Sequence, residues 1–142
     1  MHTAVVLVLL AALSTNAAAA CSPARPEAWG AFFDLYSSSH QFALERTRFP
    51  LSVLVWEYGV DEKGQEASGP RRLTVSRAEY AKDGTALAPH AKAHGLKLRT
   101  KSQSSTAAMV ELFQEDTDYL VLYHFHSVRG CWLLRQIENQ SL

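Results

Sequence analysis

Charge is missing from the first twenty residues, which hold no Asp, Glu, Lys or Arg. Ala4 to Leu13 is an unbroken apolar run, too short to cross a bilayer, which takes about 20 residues as a helix. Ser14-Thr15-Asn16 follows, then four alanines, and Ala18-Ala19-Ala20 meets the small-x-small rule for cleavage. Residues 1–20 therefore read as a secretory signal peptide, though without the usual Lys or Arg near its start, and 21–142 as a single domain. No second apolar stretch is long enough for a transmembrane segment. An excess of either charge is also lacking, with 14 Lys and Arg against 14 Asp and Glu. A neutral chain argues against nucleic acid as a partner, because phosphate binding needs a basic surface. There is no phosphate-binding glycine loop and no cofactor motif, so no cofactor is expected. The serines at Ser102, Ser104 and Ser105 lack a Gly-x-Ser-x-Gly elbow and read as a loop.

Cysteine is scarce too: Cys21 and Cys131 are the only two. In an oxidising compartment they can bridge, closing a loop of about 110 residues and contributing roughly 4–5 kcal/mol on the chain-entropy model. The alternative is a lipid anchor on Cys21, with Cys131 left as a buried thiol beside Trp132. The alanines before Cys21 lack the large aliphatic residue usual three places ahead of a lipidated cysteine, which favours the disulfide. Either way the chain is expected in the periplasm or outside the cell, anchored there by lipid in the second case.

What is present is regular. Pro26 and Glu27 suit the first turn of a helix. Trp29, Phe32, Phe33 and Tyr36 recur at i, i+3, i+4 and i+7, the stripe of an amphipathic helix packed on a core. Ser37-Ser38-Ser39 ends that helix and offers a cap for a short second helix through Phe42 and Arg46, which must stop before Phe49-Pro50. Leu51 to Val60 reads as a strand. Asp61 to Arg72 is polar, with Gly64, Gly69 and Pro70, and reads as an exposed loop suited to recognition; its charged residues Asp61, Glu62, Lys63, Glu66, Arg71 and Arg72 are the partner-binding candidates. Ser76-Arg77-Ala78-Glu79 is a capping box for a helix ending at Gly84. A further helical turn from Pro89 closes at Gly95, and Leu96 to Thr100 reads as a strand, with Lys101 to Thr106 as a connection.

The last third reads as three antiparallel strands: Ala108 to Gln114, Tyr119 to His126 and Cys131 to Ile137. A hairpin between the last two turns at Gly130, which is free to take positive φ. Tyr119, Val121, Tyr123 and Phe125 share one face of the middle strand, with Leu120, Leu122, His124 and His126 on the other. Both faces are largely apolar, so this strand is expected inside the sheet with helices over one side.

Groups that carry chemistry are few. Glu111, alone among apolar neighbours, is a buried base only if its pKa is raised, and no paired partner is identifiable. His124 and His126 point one way from a strand, and His90 and His94 share a helix face. No Asp, Glu or Cys is placed with either pair, so no metal site is assigned. Cys131 as a nucleophile needs a base and an electropositive setting, which Trp132 and Leu133 do not supply.

The order of aromatic helices first and an antiparallel meander last resembles the cone-shaped superfamily of nuclear transport factor two, the cystatin-like α+β fold. The residues that carry the likeness are Phe32-Phe33, Phe42, Arg46-Thr47-Arg48-Phe49-Pro50-Leu51, and Tyr123-His124-Phe125 with Gly130-Cys131-Trp132-Leu133-Leu134 and Ile137. They are similar to small exported bacterial proteins of that superfamily whose domain has no assigned function. The resemblance implies an α+β domain with N-terminal helices packed on a curved antiparallel sheet, and it allows a sheet-face homodimer. The superfamily holds isomerases, dehydratases, ligand carriers and protein-binding modules, so the fold transfers no activity. By elimination, the first functional expectation is a non-enzymatic exported protein that binds another protein, most specifically an immunity protein neutralising a toxin in the bacterial periplasm. The alternative is a ligand-binding or enzymatic pocket in the mouth of the cone, lined by Trp56, Tyr58, Tyr123 and Phe125. A cone filled by Trp29, Phe32 and Phe33 would count against that alternative.

Overall fold

The computed structural model describes residues 20–142, so the leader expected at 1–20 lies, except for Ala20, outside the described residues. Two helices open the domain, α1 (Trp29–Ser38) and α2 (His40–Glu45). The long strand β1 (Thr47–Val60) and its partner β2 (Glu66–Val75) follow. Two short helices, α3 (Arg77–Asp83) and α4 (Leu87–Ala93), precede β3 (Lys97–Gln103), β4 (Ala107–Phe113), β5 (Leu120–Val128) and β6 (Cys131–Asn139). Among the described residues no helix is long and apolar enough to cross a membrane.

Local chemistry sets most of these boundaries. The Ser39 hydroxyl accepts from the Phe42 amide and turns the chain from α1 into α2. Ser76 and Glu79 form the reciprocal capping box, and α3 ends on Gly84 at φ 63°. Pro26 and Glu27 do not start α1. The helix begins at Trp29 behind an Ala28 cap, and the Glu27 carboxylate is used elsewhere, accepting from Arg46 Nη1 at 2.9 Å and from the Trp132 amide at 3.2 Å.

The six strands run in the order β2-β1-β6-β5-β4-β3. Neighbours are antiparallel except β1 and β6, which are parallel, so the expected all-antiparallel sheet is corrected to a mixed one. That pairing joins a strand near the start of the domain to the last one, a long-range contact that no local pattern announces. β3 also runs through Gln103, into the stretch expected as a connection.

The expected loop from Asp61 to Arg72 is the second correction. Only the turn between Val60 and Glu66 is irregular, and there Asp61 Oδ1 accepts from the amides of Lys63 (2.8 Å) and Gln65 (2.9 Å). Glu66, Arg71 and Arg72 lie in β2, an edge strand paired along its length with β1. An exposed edge tolerates charge, glycine and proline, which made this strand read as a loop.

All four helices contribute to clusters on one face of the sheet. Phe125 is the centre of the larger cluster, fully buried, with the rings of Trp29, Phe32, Phe33 and Tyr36 at 5.0–6.0 Å. Burying each such ring contributes roughly 1.5–3 kcal/mol. In the smaller cluster Ala91 of α4 packs on Leu112 and Val121. The segment ahead of α1 is tied to the β5–β6 hairpin by the Cys21–Cys131 disulfide, with Cα atoms 5.2 Å apart, and by the Glu27 amide donating to the Gly130 carbonyl at 2.8 Å. The bond uses the sulfur that a lipid on Cys21 would need.

Candidate functional site

A cavity of about 160 Å³ opens between α2, α3, α4 and the helix-covered face of β5 and β6. Its wall includes Tyr36, His40, Tyr80, Asp83, His90 and Tyr123. All four helices and two strands contribute to it, with Thr85 and Ala86 of the link between α3 and α4 at its wall.

The hydroxyl network on one wall has a fixed direction. Thr47 Oγ1 donates to the Ala43 carbonyl at 2.7 Å, since a carbonyl only accepts. The Tyr36 hydroxyl, 3.0 Å from Thr47 Oγ1, must then be the donor to it. Tyr80 stands 3.4 Å from the Tyr36 oxygen and is the donor in that longer contact, so it offers an accepting lone pair to an occupant. Burial pushes the phenols of Tyr36, Tyr80 and Tyr123 above their usual range, so all three stay protonated at neutral pH. His40 stacks on Tyr80 with ring centroids 6.0 Å apart and an interplanar angle of 11°. Its Nε2 is buried without a hydrogen-bond partner in the protein, and an orphaned polar atom of that kind calls for an explanation.

Of the four pocket residues expected from the sequence, only Tyr123 lines this cavity. Phe125 is corrected: it shares Tyr123's face, but the rings of α1 fill the space in front of it. Trp56 is corrected as well; its side chain leaves the opposite face of β1, where Nε1 donates to Glu138 Oε1 at 2.8 Å. Tyr58 is 56% exposed near the far end of β1, beside Ser68 of β2. Tyr36, His40, Tyr80, Asp83 and His90 escaped the sequence reading. Tyr36 belonged to a stripe that signals core, Tyr80 to a helix start, and nothing local says that the two touch.

The partner-binding candidates are all at the surface. Asp61, Glu62 and Lys63 sit in the turn, while Arg71 pairs with Glu57 and Arg72 donates to Ser52 Oγ across the β1–β2 ladder. On the opposite face of the sheet Glu138 accepts from Trp56, Gln140 and His124. Burial raises its pKa, but those three donors together outweigh burial and hold it below the usual 4.5. Glu111 on the same face is not the raised-pKa base considered from the sequence. Arg99 (2.5 Å) and Lys101 (3.2 Å) bond its carboxylate and lower its pKa against the opposing effect of burial. Cys131 is spent in the disulfide. The two histidine pairs do not meet, because His90 lines the cavity while His124 and His126 leave the other side of β5.

No family model matches the chain, and no curated protein matches it. Among solved structures it is similar to an NTF2-like protein from Bacteroides fragilis, at 15% identity and TM-score 0.57, covering 82% of this chain and 48% of that one. The chain thus spans about half the length of that protein. It is less similar to a DUF4783 family protein from Bacteroides fragilis, at 14% identity and TM-score 0.41 over 82% of this chain and 99% of that one. A protein of unknown function with a cystatin-like fold from Nostoc punctiforme is similar at 12% identity and TM-score 0.37, over 79% of this chain and 74% of that one. The fold is NTF2-like, and at these identities the likeness speaks of fold alone.

Proposed function

We propose that this is an exported, non-enzymatic binding protein that holds a small neutral molecule in the cavity between α2, α3, α4 and the sheet. The observation that carries the reading is the cavity itself, walled by the buried phenols of Tyr36, Tyr80 and Tyr123 and by His40. A bound molecule would meet the accepting lone pair of Tyr80 and the hydroxyl of Tyr123 on that wall. The wall contains no Lys or Arg and does contain Asp83, which favours a neutral occupant with both donor and acceptor groups over an anion. At about 160 Å³ the space is smaller than the ~300–1,000 Å³ of drug-sized sites, so the occupant is compact. Burial keeps the three phenols of the wall protonated, which suits them to hold a hydrogen-bonding molecule. Export is part of the proposal, supported by the uncharged leader and the bridged cysteines.

Thermal-shift screening of compact hydroxylated or amide-bearing compounds tests this reading. A true ligand at 100 times its Kd stabilises by about 2.7 kcal/mol, and Tyr123→Phe and His40→Phe should weaken it. Ligands confined to anions, or affinities indifferent to both substitutions, would overturn it.

A second reading keeps the protein partner. Tyr58 and Val60 are large, apolar and exposed (56% and 70%) on one face of β1 beside the turn at 61–65, and exposed apolar surface of this kind favours docking. The specific form of this reading is an immunity-type protein that neutralises a toxin in the periplasm. A binding measurement against the product of an adjacent gene for a secreted effector tests it. No association at micromolar concentration, or one indifferent to Tyr58→Ala and Val60→Ala, sinks it.

A further inference from the structure

We propose that His90 and His94 form a two-imidazole site for a divalent transition metal at the mouth of the cavity. His90 lies on α4 and His94, four residues on, is its C-cap, about one turn further along. Their ring centroids are 4.4 Å apart with an interplanar angle of 36°, close enough for one ion to reach both. The decisive detail is at His94. Its Nδ1 lies 2.9 Å from the His90 carbonyl oxygen, and a carbonyl only accepts, so Nδ1 carries the hydrogen. In the neutral ring the lone pair is then on Nε2. This is the hydrogen bond that metal-bound imidazoles use on their second nitrogen to set tautomer and orientation.

The scaffold under the pair is rigid. α4 is held through Ala91, 4% exposed, against Leu112 and Val121, and Gly95 at φ 66° ends the helix immediately beyond His94. The other described histidines are differently placed. His40 is stacked on Tyr80, His124 is bonded to Glu138, and the His126 ring contacts Arg135. Two neutral nitrogens select zinc, copper(II) or nickel over calcium or magnesium, which want oxygen. Among the described residues no third His, Cys, Asp or Glu completes the set. The remaining positions of the ion are therefore open to water or an outside donor, as they are in metal sites that bind exogenous ligands. The pair was visible in the sequence, but the spacing alone lacked the fixed tautomer. The proposal does not depend on what fills the cavity.

Isothermal titration of the disulfide-bonded chain with Zn²⁺ tests it, using wild type, His90→Ala, His94→Ala, the double variant and His124→Ala, each checked for fold by circular dichroism. The expected result is one ion per chain, with affinity lower by more than about tenfold in either single variant and unchanged in His124→Ala. A double variant that binds as tightly as wild type overturns the proposal. So does binding that is lost in His124→Ala and kept in His90→Ala. Nitrogen hyperfine structure from two imidazoles in the Cu²⁺ resonance spectrum of wild type, absent in the double variant, provides a readout independent of affinity.

Discussion

The indole of Trp132 donates from Nε1 to the Glu27 carbonyl at 3.0 Å, while the Trp132 amide donates to the Glu27 carboxylate at 3.2 Å. One residue ahead of α1 thus holds both ends of the residue that follows the hairpin cysteine. Arg46, at the end of α2, completes the clasp by bonding the same carboxylate.

Removing that carboxylate should be felt across the domain. Glu27→Ala strands the Arg46 guanidinium, whose side chain is only 19% exposed, and leaves the Trp132 amide N–H without its acceptor. The expected loss is about 1–3 kcal/mol, read from urea unfolding. Glu27→Gln should lose less, since an amide oxygen still accepts. Equal losses in the two variants would show that packing and not the charged bond is at work.

The disulfide is the second test. Cys131→Ser should lower stability by roughly 2–5 kcal/mol in oxidising buffer, and a reductant should bring the wild type down to the variant's level. Mass spectrometry of the mature chain from its host should find two hydrogens fewer than two free thiols require. A mass increased by lipid on Cys21 would refute the pairing.

Gly130 and Gly84 both have positive φ, 79° and 63°, yet they should respond differently to alanine. At Gly84 a methyl group meets nothing within 4 Å, so only the left-handed backbone costs, about 1–2 kcal/mol. At Gly130 it would collide with the Ser22 carbonyl, which cannot move freely beside the Cys21 bridge. Gly130→Ala should therefore be the more destabilising in paired melting curves, and the gap should shrink on reduction. Equal losses would mean that the close approach is not rigid.

Acid should weaken the fold through Glu111 and Glu138, both held below the usual 4.5. A carboxylate whose folded pKa is depressed contributes stability above its unfolded pKa and loses it as pH falls through the folded value. Stability should then hold from about pH 7 to about pH 5 and drop below about 4.5. Glu111→Gln should start lower at neutral pH and fall less steeply, because its contribution no longer titrates. Urea midpoints across that range decide it, and parallel slopes would rule Glu111 out.

Much of the chain was legible because its signals are local. The stripe from Trp29 to Tyr36, the Ser39 and Ser76 caps and the alternation through β5 each act within a few residues, where backbone hydrogen bonding and side-chain direction decide the element. β2 was not legible, because an edge strand needs no apolar alternation and shows the composition of a loop. Phe125 and Tyr123 share a face with the same period, yet one is core and the other cavity wall. That difference depends on which helix rings reach them, and alternation carries no information about it.

By itself the sequence determined most of the element types and the face that each strand residue takes, because propensity, capping and period 2 act locally, and it left Cys21 open to a disulfide or a lipid. Only the tertiary structure decided the parallel seam between β1 and β6, the cavity walled by Tyr36, His40, Tyr80 and Tyr123, and the capture of Glu111 by Arg99 and Lys101. The seam joins distant strands, the cavity is the gap left between packed helices and the sheet, and the ion pairs need the register of β3 on β4. Each arises from placing segments far apart in sequence side by side, a cost in chain entropy that only the assembled core repays.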